Sequence, residues 1–395
     1  MKAVVIGAGI TGLAVTARLR HLGWEVVLVE KAPGPRPQGY MIDFFGPGYR
    51  AAREMGLEPR LRELAGQVDE VAYVDRDGHR RAGLGYAAFQ QGIDGDLLSI
   101  MRPDLELALR ETLGEQPRYG VGIAGIDNRP DGVTATLTDG STVEADLLVG
   151  ADGIHSRTRA LAFGPPEGFL RPLGLHTAAW VFDDPEVRET VGQRFALTDS
   201  VDKMMGLYGL RDGRVAVFSV HRETSPELPA DPRPVLRETY GDLGWVVPNA
   251  LAGLPEPAGI YYDLVAQVEM ATWHRDRVVL LGDSAYAVSL LAGQGASLGI
   301  AGAYLLAGLL RTEAVGDALT AFEHRWMPVT GERQRKGRQG IDWFLPHSRG
   351  RLFARRMAMR AMVVPGVNRL FSTALVGKSH EPALGAGGRH RLKIR

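Results

Sequence analysis

Cysteine is absent from the 395 residues. That excludes disulfides, thiolate metal sites, iron–sulfur clusters and a redox-active thiol pair, so any redox chemistry must be carried by a bound organic cofactor. Net charge is absent as well: 46 basic and 46 acidic residues cancel, and no global charge argues for a nucleic-acid partner. Lysine is scarce, at six of the 46 basic residues; such a bias can follow genome composition and carries no function by itself. No uninterrupted apolar run approaches the roughly twenty residues that a bilayer span needs. Met1 leads straight into strand-like sequence, so no signal peptide is expected. The expectation is a soluble, cytoplasmic protein with neither nucleic acid nor membrane as partner. What is present is a hydrophobic content of 45%, enough for a substantial core. The length suits two or three domains or one large composite.

The most informative stretch is Met1 to Lys31. Lys2 to Ile6 is a short apolar run that reads as a buried parallel strand. It feeds into Gly7-Ala8-Gly9-Ile10-Thr11-Gly12, a G-x-G-x-x-G. Leu13 to Leu22 has helical spacing with Gly23 to end it, and Glu25 to Glu30 is a second strand closing on an acid. Each glycine has a task in a dinucleotide site. Gly7 permits the strand-to-helix turn, Gly9 lets backbone approach a pyrophosphate, and Gly12 allows close helix–strand packing. The helix start offers unpaired N–H groups and its positive dipole end to phosphates. Glu30 can accept hydrogen bonds from ribose hydroxyls. A lone glycine motif is a weak signal, but strand, glycines, helix, strand and acid in this order point to a dinucleotide.

Residues 32 to 48 are rich in proline and glycine, and read as a surface connector or a mobile cover over the ligand. Met41, Ile42, Phe44 and Phe45 favour the cover, and Arg36 could pair with phosphate. Asp43 is a lone carboxylate that either meets a ligand or caps the following turn. Gly48 to Met55 reads as a helix. Arg102 precedes Pro103, which suits a first helical turn, and there the guanidinium could reach a neighbouring ligand. Leu147 to Gly150 reads as a buried strand followed by Asp152-Gly153, which places an acid at the carboxyl edge of the sheet. Arg157 and Arg159 start the next helix and could meet phosphates. The plain alternative is that Asp152 only caps that helix.

From Leu173 to Asp263 helical periodicity gives way to recurring strands, namely His176 to Phe182, Met204 to Leu210 and Val215 to His221. They read as an antiparallel sheet inserted into the nucleotide fold. Tyr208, His176, His221, Tyr261 and Tyr262 are its polar aromatics. Arg277 to Leu281 is a further buried strand ended by Gly282-Asp283. Gly293-Gln294-Gly295-Ala296 then opens a long small-residue helix, whose N-terminus suits an anion. A reduced flavin is such an anion, and Asp283 could hold its ribityl chain.

Three ordered motifs, Gly7-x-Gly9-x-x-Gly12 with Glu30, Asp152-Gly153 and Gly282-Asp283, resemble the flavin-dependent aromatic hydroxylase family over roughly residues 1 to 340. Gly39 to Asp43 and Arg102-x-Asp104-Leu105 look most like its tetracycline-inactivating branch. The resemblance implies a single-component enzyme that binds FAD and takes hydride from NADPH or NADH. A flavin C4a-hydroperoxide formed with dioxygen would then insert one oxygen atom into a small aromatic or polycyclic substrate. By that likeness Gly7, Gly9, Ile10, Thr11, Gly12, Glu30 and Lys31 hold the ADP half of FAD, with Arg36, Arg102 and Asp152 beside it. Gly282 and Asp283 meet the ribityl-phosphate region, and Gly293, Gln294, Gly295, Ala296 and Ser297 face the ring. Met41, Asp43, Phe45, Tyr208 and His221 are candidates for the substrate pocket, and no side chain stands out as a catalytic base. Where many members carry Ala-Ala-His and a proline pair after the Gly-Asp, this chain has Ser284-Ala285-Tyr286 and Ser289-Leu290-Leu291. A flavin oxidase or dehydrogenase on the same fold, and a non-catalytic aromatic-ligand binder, are the competing readings.

The implied architecture is α/β, a Rossmann-like FAD-binding domain (1–70, 100–172 and 270–340) with an inserted antiparallel-sheet substrate domain (71–99 and 173–269). Residues 341–395 read as a basic helical tail, which could lie on an anionic membrane but is rather expected to pack on its own protein or on a dimer mate; monomer and homodimer both fit.

Overall fold

The computed structural model describes residues 1–36, 38–86, 90, 97–290 and 293–361. Leu291, part of the stretch expected as substrate domain (87–89 and 91–96) and the tail from Met362 onward lie outside them.

A six-stranded sheet is built in the order His274–Arg275, Val278–Leu280, Leu147–Gly150, Lys2–Ile6, Glu25–Glu30, Arg118–Tyr119. Its ladders are parallel except for the first hairpin. Lys2–Ile6 sits in the middle, its Val4 opposite Val27 on one side and Leu148 on the other. A strand flanked on both edges and covered on both faces must be apolar throughout, and residues 3 to 6 are all buried. The helix Ile10–His21 follows at once, and the sixteen-residue helix Gly295–Leu310 packs beside it.

A seven-stranded sheet runs Tyr261–Val268, Leu170–Phe182, Val215–Arg222, Lys203–Gly209, Arg194–Ser200, Glu70–Val74, Arg80–Gly85. All its neighbours are antiparallel except Arg194–Ser200 with Glu70–Val74. Because side chains alternate across a strand, one face of this sheet carries Phe218 toward Tyr40. The other carries His221 toward Tyr240 of the helix Arg233–Tyr240.

Two expectations change. The apolar part of the supposed cover, Met41–Phe44, is a strand paired antiparallel with Leu98–Met101. A ladder partner accounts for its extended form. Ile341 to Phe344 belong to a thirty-residue helix, Val315–Phe344, which the sequence reading did not foresee. Pro328 lies inside it and masks it from inspection, since an interior proline removes one backbone donor. The buried positions Val315, Ala318, Leu319, Phe322 and Trp326 before it, and Thr330, Gln334 and Gly337 after it, keep the helical spacing on either side. The basic tail helix proper is Arg349–Ala361. It lies against the antiparallel sheet, where Arg355 and Arg356 both pair with the buried carboxylate of Asp199.

Candidate active site

Two adjoining clefts open along the carboxyl edge of the parallel sheet, and they share Gly9, Arg102, Ala151 and Gly153. The first is lined by Gly7, Ala8, Gly9, Glu30, Lys31, Arg36, Glu106, Asp152 and Arg157 among others. Gly7 adopts φ +101°, which an L side chain rarely accepts. A Cβ on Gly12 would stand 1.8 Å from the Gly7 carbonyl oxygen, so only glycine lets the helix come this close. Gly9 differs. A Cβ there would meet nothing nearer than Glu106 Oε1 at 3.8 Å and Arg102 at 3.9 Å, so its bare backbone faces open cleft. No side chain caps the helix Ile10–His21, which leaves its first amides available to an anion.

Glu30 braces the glycine loop. Its Oε2 accepts from the Ala8 amide at 2.9 Å and its Oε1 from the Ala32 amide at 2.9 Å. Arg36 stands 3.6 Å from the same carboxylate, and Lys31 is an exposed part of the wall. Arg102 lies between the two clefts and pairs with Glu106 at 3.3 Å. Burial works against its charge, but the anionic field of Glu106 and its neighbours keeps the guanidinium firmly protonated.

Asp152 spends its oxygens on the following turn. It accepts from Ser156 Oγ at 2.5 Å, the Thr158 amide at 2.9 Å and Thr158 Oγ1 at 3.0 Å. Ser156 in turn caps the helix Arg157–Phe163 by accepting from the Arg159 amide. Of the two arginines there, Arg157 lines the cleft, whereas Arg159 is 1% exposed and turned inward. Its guanidinium donates to the Ser284 carbonyl at 2.9 Å and the Ile154 carbonyl at 2.7 Å. It therefore clamps the Asp152 turn to the segment after Asp283 and faces no phosphate site.

The second cleft gathers Ile10, Thr11, Asp283 and the run Gly293 to Ser297 on one side. Ile42, Asp43, Phe44, Tyr40, Thr177, Tyr261, Asp263 and Leu290 line the other. Asp283 opens into this space, yet enclosure by protein raises its carboxyl pKa and Arg102 only partly opposes that. Thr11 also wedges two elements apart: a Cβ on Gly282 or Gly299 would come within 2.4 Å of its Oγ1. Ser297 joins the site to its surroundings, donating to the Phe45 carbonyl at 2.7 Å and accepting from the Gly48 amide at 2.9 Å. Asp43 accepts from Tyr86 Oη at 2.6 Å and Ser99 Oγ at 3.0 Å, and its burial raises its pKa. Tyr40 sits 5.8 Å from the Tyr261 ring and 5.7 Å from Phe218. Burial pushes the Tyr40 hydroxyl up to about 12 despite Arg102, so it stays a neutral donor.

The clefts test the fit of a flavin dinucleotide on two counts. Gly9 shows bare backbone to the space beside Arg102, as a pyrophosphate requires. On the other side, Gln294 Oε1 and Ser289 Oγ are buried polar atoms without a partner among the described residues, and both residues line the second cleft. Buried polar groups are normally bonded, so these two await a ligand with hydrogen-bonding edges. The residues present suit FAD.

The family described as FAD binding domain matches residues 1–330. A flavin-dependent monooxygenase of Legionella longbeachae is 32% identical over 337 residues, which span 82% of this chain and 83% of that protein. The chain belongs to the flavin-dependent monooxygenase family. Among solved structures, the tetracycline destructase Tet(51) superimposes with a TM-score of 0.79 at 26% identity, over 96% of this chain and 99% of its own. Tet(55) gives 0.78 at 28% identity over 91% and 96%. Klebsiella pneumoniae HpxO with FAD and uric acid shares the fold, at a TM-score of 0.78 and 23% identity over 94% and 97%. The fold is thus the mixed α/β FAD-binding one with its antiparallel sheet. Among the described residues no helix is long and apolar enough to cross a membrane.

Within this flavoprotein, several expected site residues fall elsewhere. Gly12 and Gly282 line neither cleft; they make room for packing. Met41 and Tyr208 line a separate cavity, where Tyr208 Oη accepts from the Met41 amide at 2.5 Å. Phe45 enters through its carbonyl and is absent from the walls of both clefts. His221 is the clearest correction. It is 3% exposed on the far face of the sheet, bonded to Tyr240 Oη at 3.0 Å and Tyr262 Oη at 3.3 Å. Counting from Phe218 by alternation would have sent it there. Sequence reasoning gave no site role to Tyr40, Tyr261, Asp263 or Glu106. Asp263 takes a double contact from His155 Nε2, at 3.0 and 3.2 Å, tying the loop after Leu147–Gly150 to the antiparallel sheet. Nothing in the one-dimensional pattern pairs residues 155 and 263.

Proposed function

We propose that the chain is an NAD(P)H-dependent FAD monooxygenase that transfers one atom of dioxygen to an aromatic or polycyclic small molecule. The observation that carries this reading is the second cleft. Its wall of Tyr40, Ile42, Phe44, Tyr261, Leu264 and Leu290 stands across the same space from Asp283 and the start of the helix Gly295–Leu310. When bound, FAD would supply the hydride acceptor and the oxygen chemistry. The chain's own task is to bind, orient and keep water out. Gly7 to Gly12 with Glu30, Lys31 and Arg36 would hold the ADP half, and Arg102 would reach the phosphates. Asp152 would act by shaping its turn. Asp283 and Gly293 to Ser297 would hold the ribityl chain and ring. In this reading the parallel sheet with its helices is the cofactor domain, the seven-stranded sheet supplies the substrate wall, and the protein works in the cytoplasm.

The test is consumption of NADPH and of NADH by the purified flavoprotein against phenols, quinones and polycyclic antibiotics, tetracyclines included, under isotopically labelled dioxygen. The expected result is substrate-stimulated consumption and a product carrying one labelled oxygen. Substrate oxidised without label and without nicotinamide would transfer the case to a flavin oxidase. That second reading draws on one local feature, the run from Ser284 to Leu291 after Asp283, which carries neither histidine nor proline.

A further inference from the structure

Glu106 is an acid in an unexpected place. It is 9% exposed, on the second turn of the helix Arg102–Glu111, and it lines the cleft assigned above to the ADP half of FAD. Its Oε1 lies 3.3 Å from the Arg102 guanidinium and nearest to the space beside Gly9. A carboxylate facing the approach of a pyrophosphate is repulsive. It also competes with the phosphates for the one guanidinium that stands between the two clefts. The other charged groups acting on it are Arg36 and Glu30, from the opposite wall, and Arg110 on its own helix, while the Tyr119 hydroxyl in the same cleft feels its charge in turn.

We propose that Glu106 positions Arg102 in the flavin-free protein and releases it to the dinucleotide phosphates by taking up a proton, so that FAD binding is coupled to protonation at Glu106. Before ligand arrives, the carboxylate holds the arginine across the cleft at the i, i+4 spacing. Ligand then brings negative charge and excludes water, and both disfavour a second anion there. A protonated Glu106 no longer binds Arg102 as an ion pair, and the guanidinium turns to the phosphates, where charge-assisted bonds are stronger. Burial already raises the Glu106 carboxyl pKa against the opposing pull of Arg102, which shortens the step to the neutral acid. By linkage, affinity for FAD is highest where Glu106 is already protonated and falls as pH rises through its free-state titration.

This inference rests on the FAD reading of the cleft, and the experiment separates the two. Full-length chain stripped of flavin is titrated with FAD by calorimetry in two buffers of different ionisation enthalpy. The expected result is net proton uptake on binding, and a dissociation constant that weakens by about tenfold for each unit of pKa rise on binding between acidic and alkaline buffer. In E106Q, which keeps the shape and loses the titration, uptake vanishes and binding above neutrality tightens by a similar factor. Binding of FAD without protons, or an E106Q variant that binds more weakly at every pH, would overturn the coupling and leave Glu106 a purely structural partner of Arg102. Should E106Q fold poorly, the proton count in the native chain decides alone. No binding of FAD at all would instead sink the cofactor reading.

Discussion

The two sheets of this protein handle ligand space by different means. At the parallel sheet, backbone does the binding: Gly9 offers bare main chain, and the helices starting at Ile10 and Gly295 have no side-chain caps. At the antiparallel sheet, side chains build a wall, and polar residues on the reverse face are paired among themselves. Backbone binding demands glycine at fixed intervals, which is a pattern in sequence. A wall demands only bulk and alternation, which many sequences meet. The first region is therefore rigid in what it accepts at each position, and the second is free to differ between relatives with different substrates.

The sharpest way to break this contrast is at the glycine loop, where the largest effect is expected. In Gly12→Ala the new methyl would overlap the Gly7 carbonyl, 1.8 Å away, and neither backbone can yield cheaply. Overpacking of this kind costs about 3 kcal/mol or more. The variant should lose flavin and melt well below the native protein. Gly9→Ala has 3.8 Å of clearance, so it should melt normally without ligand and still hold FAD poorly, because the methyl occupies the approach. Flavin content per chain and thermal denaturation of the stripped protein separate the two. Equal melting of both variants would show that backbone packing and backbone binding are not distinct here.

The reverse face of the antiparallel sheet offers the next largest effect. His221 and His176 lie there with ring centroids 5.9 Å apart. His221 is bonded to Tyr240 and Tyr262, while His176 meets Tyr262 Oη at 3.0 Å and the Ser225 carbonyl at 2.9 Å. Burial, helped by His176, depresses the His221 pKa to about 4 from the usual 6.5. The unfolded chain therefore binds a proton that the native protein refuses across that window. The stability this confers is whole above pH 6.5 and is lost as pH falls toward 4, by about 3 kcal/mol at the limit. Denaturant midpoints at pH 7.5 and 4.5 should show the loss, and His221→Gln should flatten it at some cost in neutral stability. An unchanged slope in that variant would place the acid sensitivity elsewhere.

What could be read from the chain follows the same division. Gly7, Gly9, Gly12 and Glu30 stand close together in sequence because one strand, one turn and one helix build the whole cradle. Asp152 and Asp283 are visible because each follows an apolar strand that ends at the sheet edge. Tyr40, Tyr261 and Asp263 are not, since their meeting depends on how a hairpin ribbon and a distant sheet pack. Tyr208 and His221 were attractive as polar aromatics among strands, yet the pleat decides which face each serves, and register is set by partners far along the chain. Pro328 hid a thirty-residue helix because a local breaker was outvoted by the buried stripe from Val315 to Trp326. Glu106 was passed over as one charged residue on an amphipathic helix; only the fold shows that its helix end faces the cleft.

The smallest effect tests the boundary of the comparison, the Asp152 turn. It lies at the edge of the parallel sheet, yet it works through side chains: Asp152 accepts from Ser156 and Thr158, and Ser156 caps the next helix. If this turn only shapes the cleft, removing the cap should touch stability and spare the ligand. Ser156→Ala deletes one acceptor for the Arg159 amide and one donor to Asp152, a loss of about 1 kcal/mol. The inward guanidinium of Arg159, held by the Ser284 and Ile154 carbonyls, should keep the turn in place. Flavin affinity should then match the native protein while the denaturation midpoint drops slightly. A marked loss of flavin in this variant would mean that the turn's backbone itself meets the cofactor. The second motif would then join the glycine loop as a binding element, and the line between the two kinds of site would run through the antiparallel sheet alone.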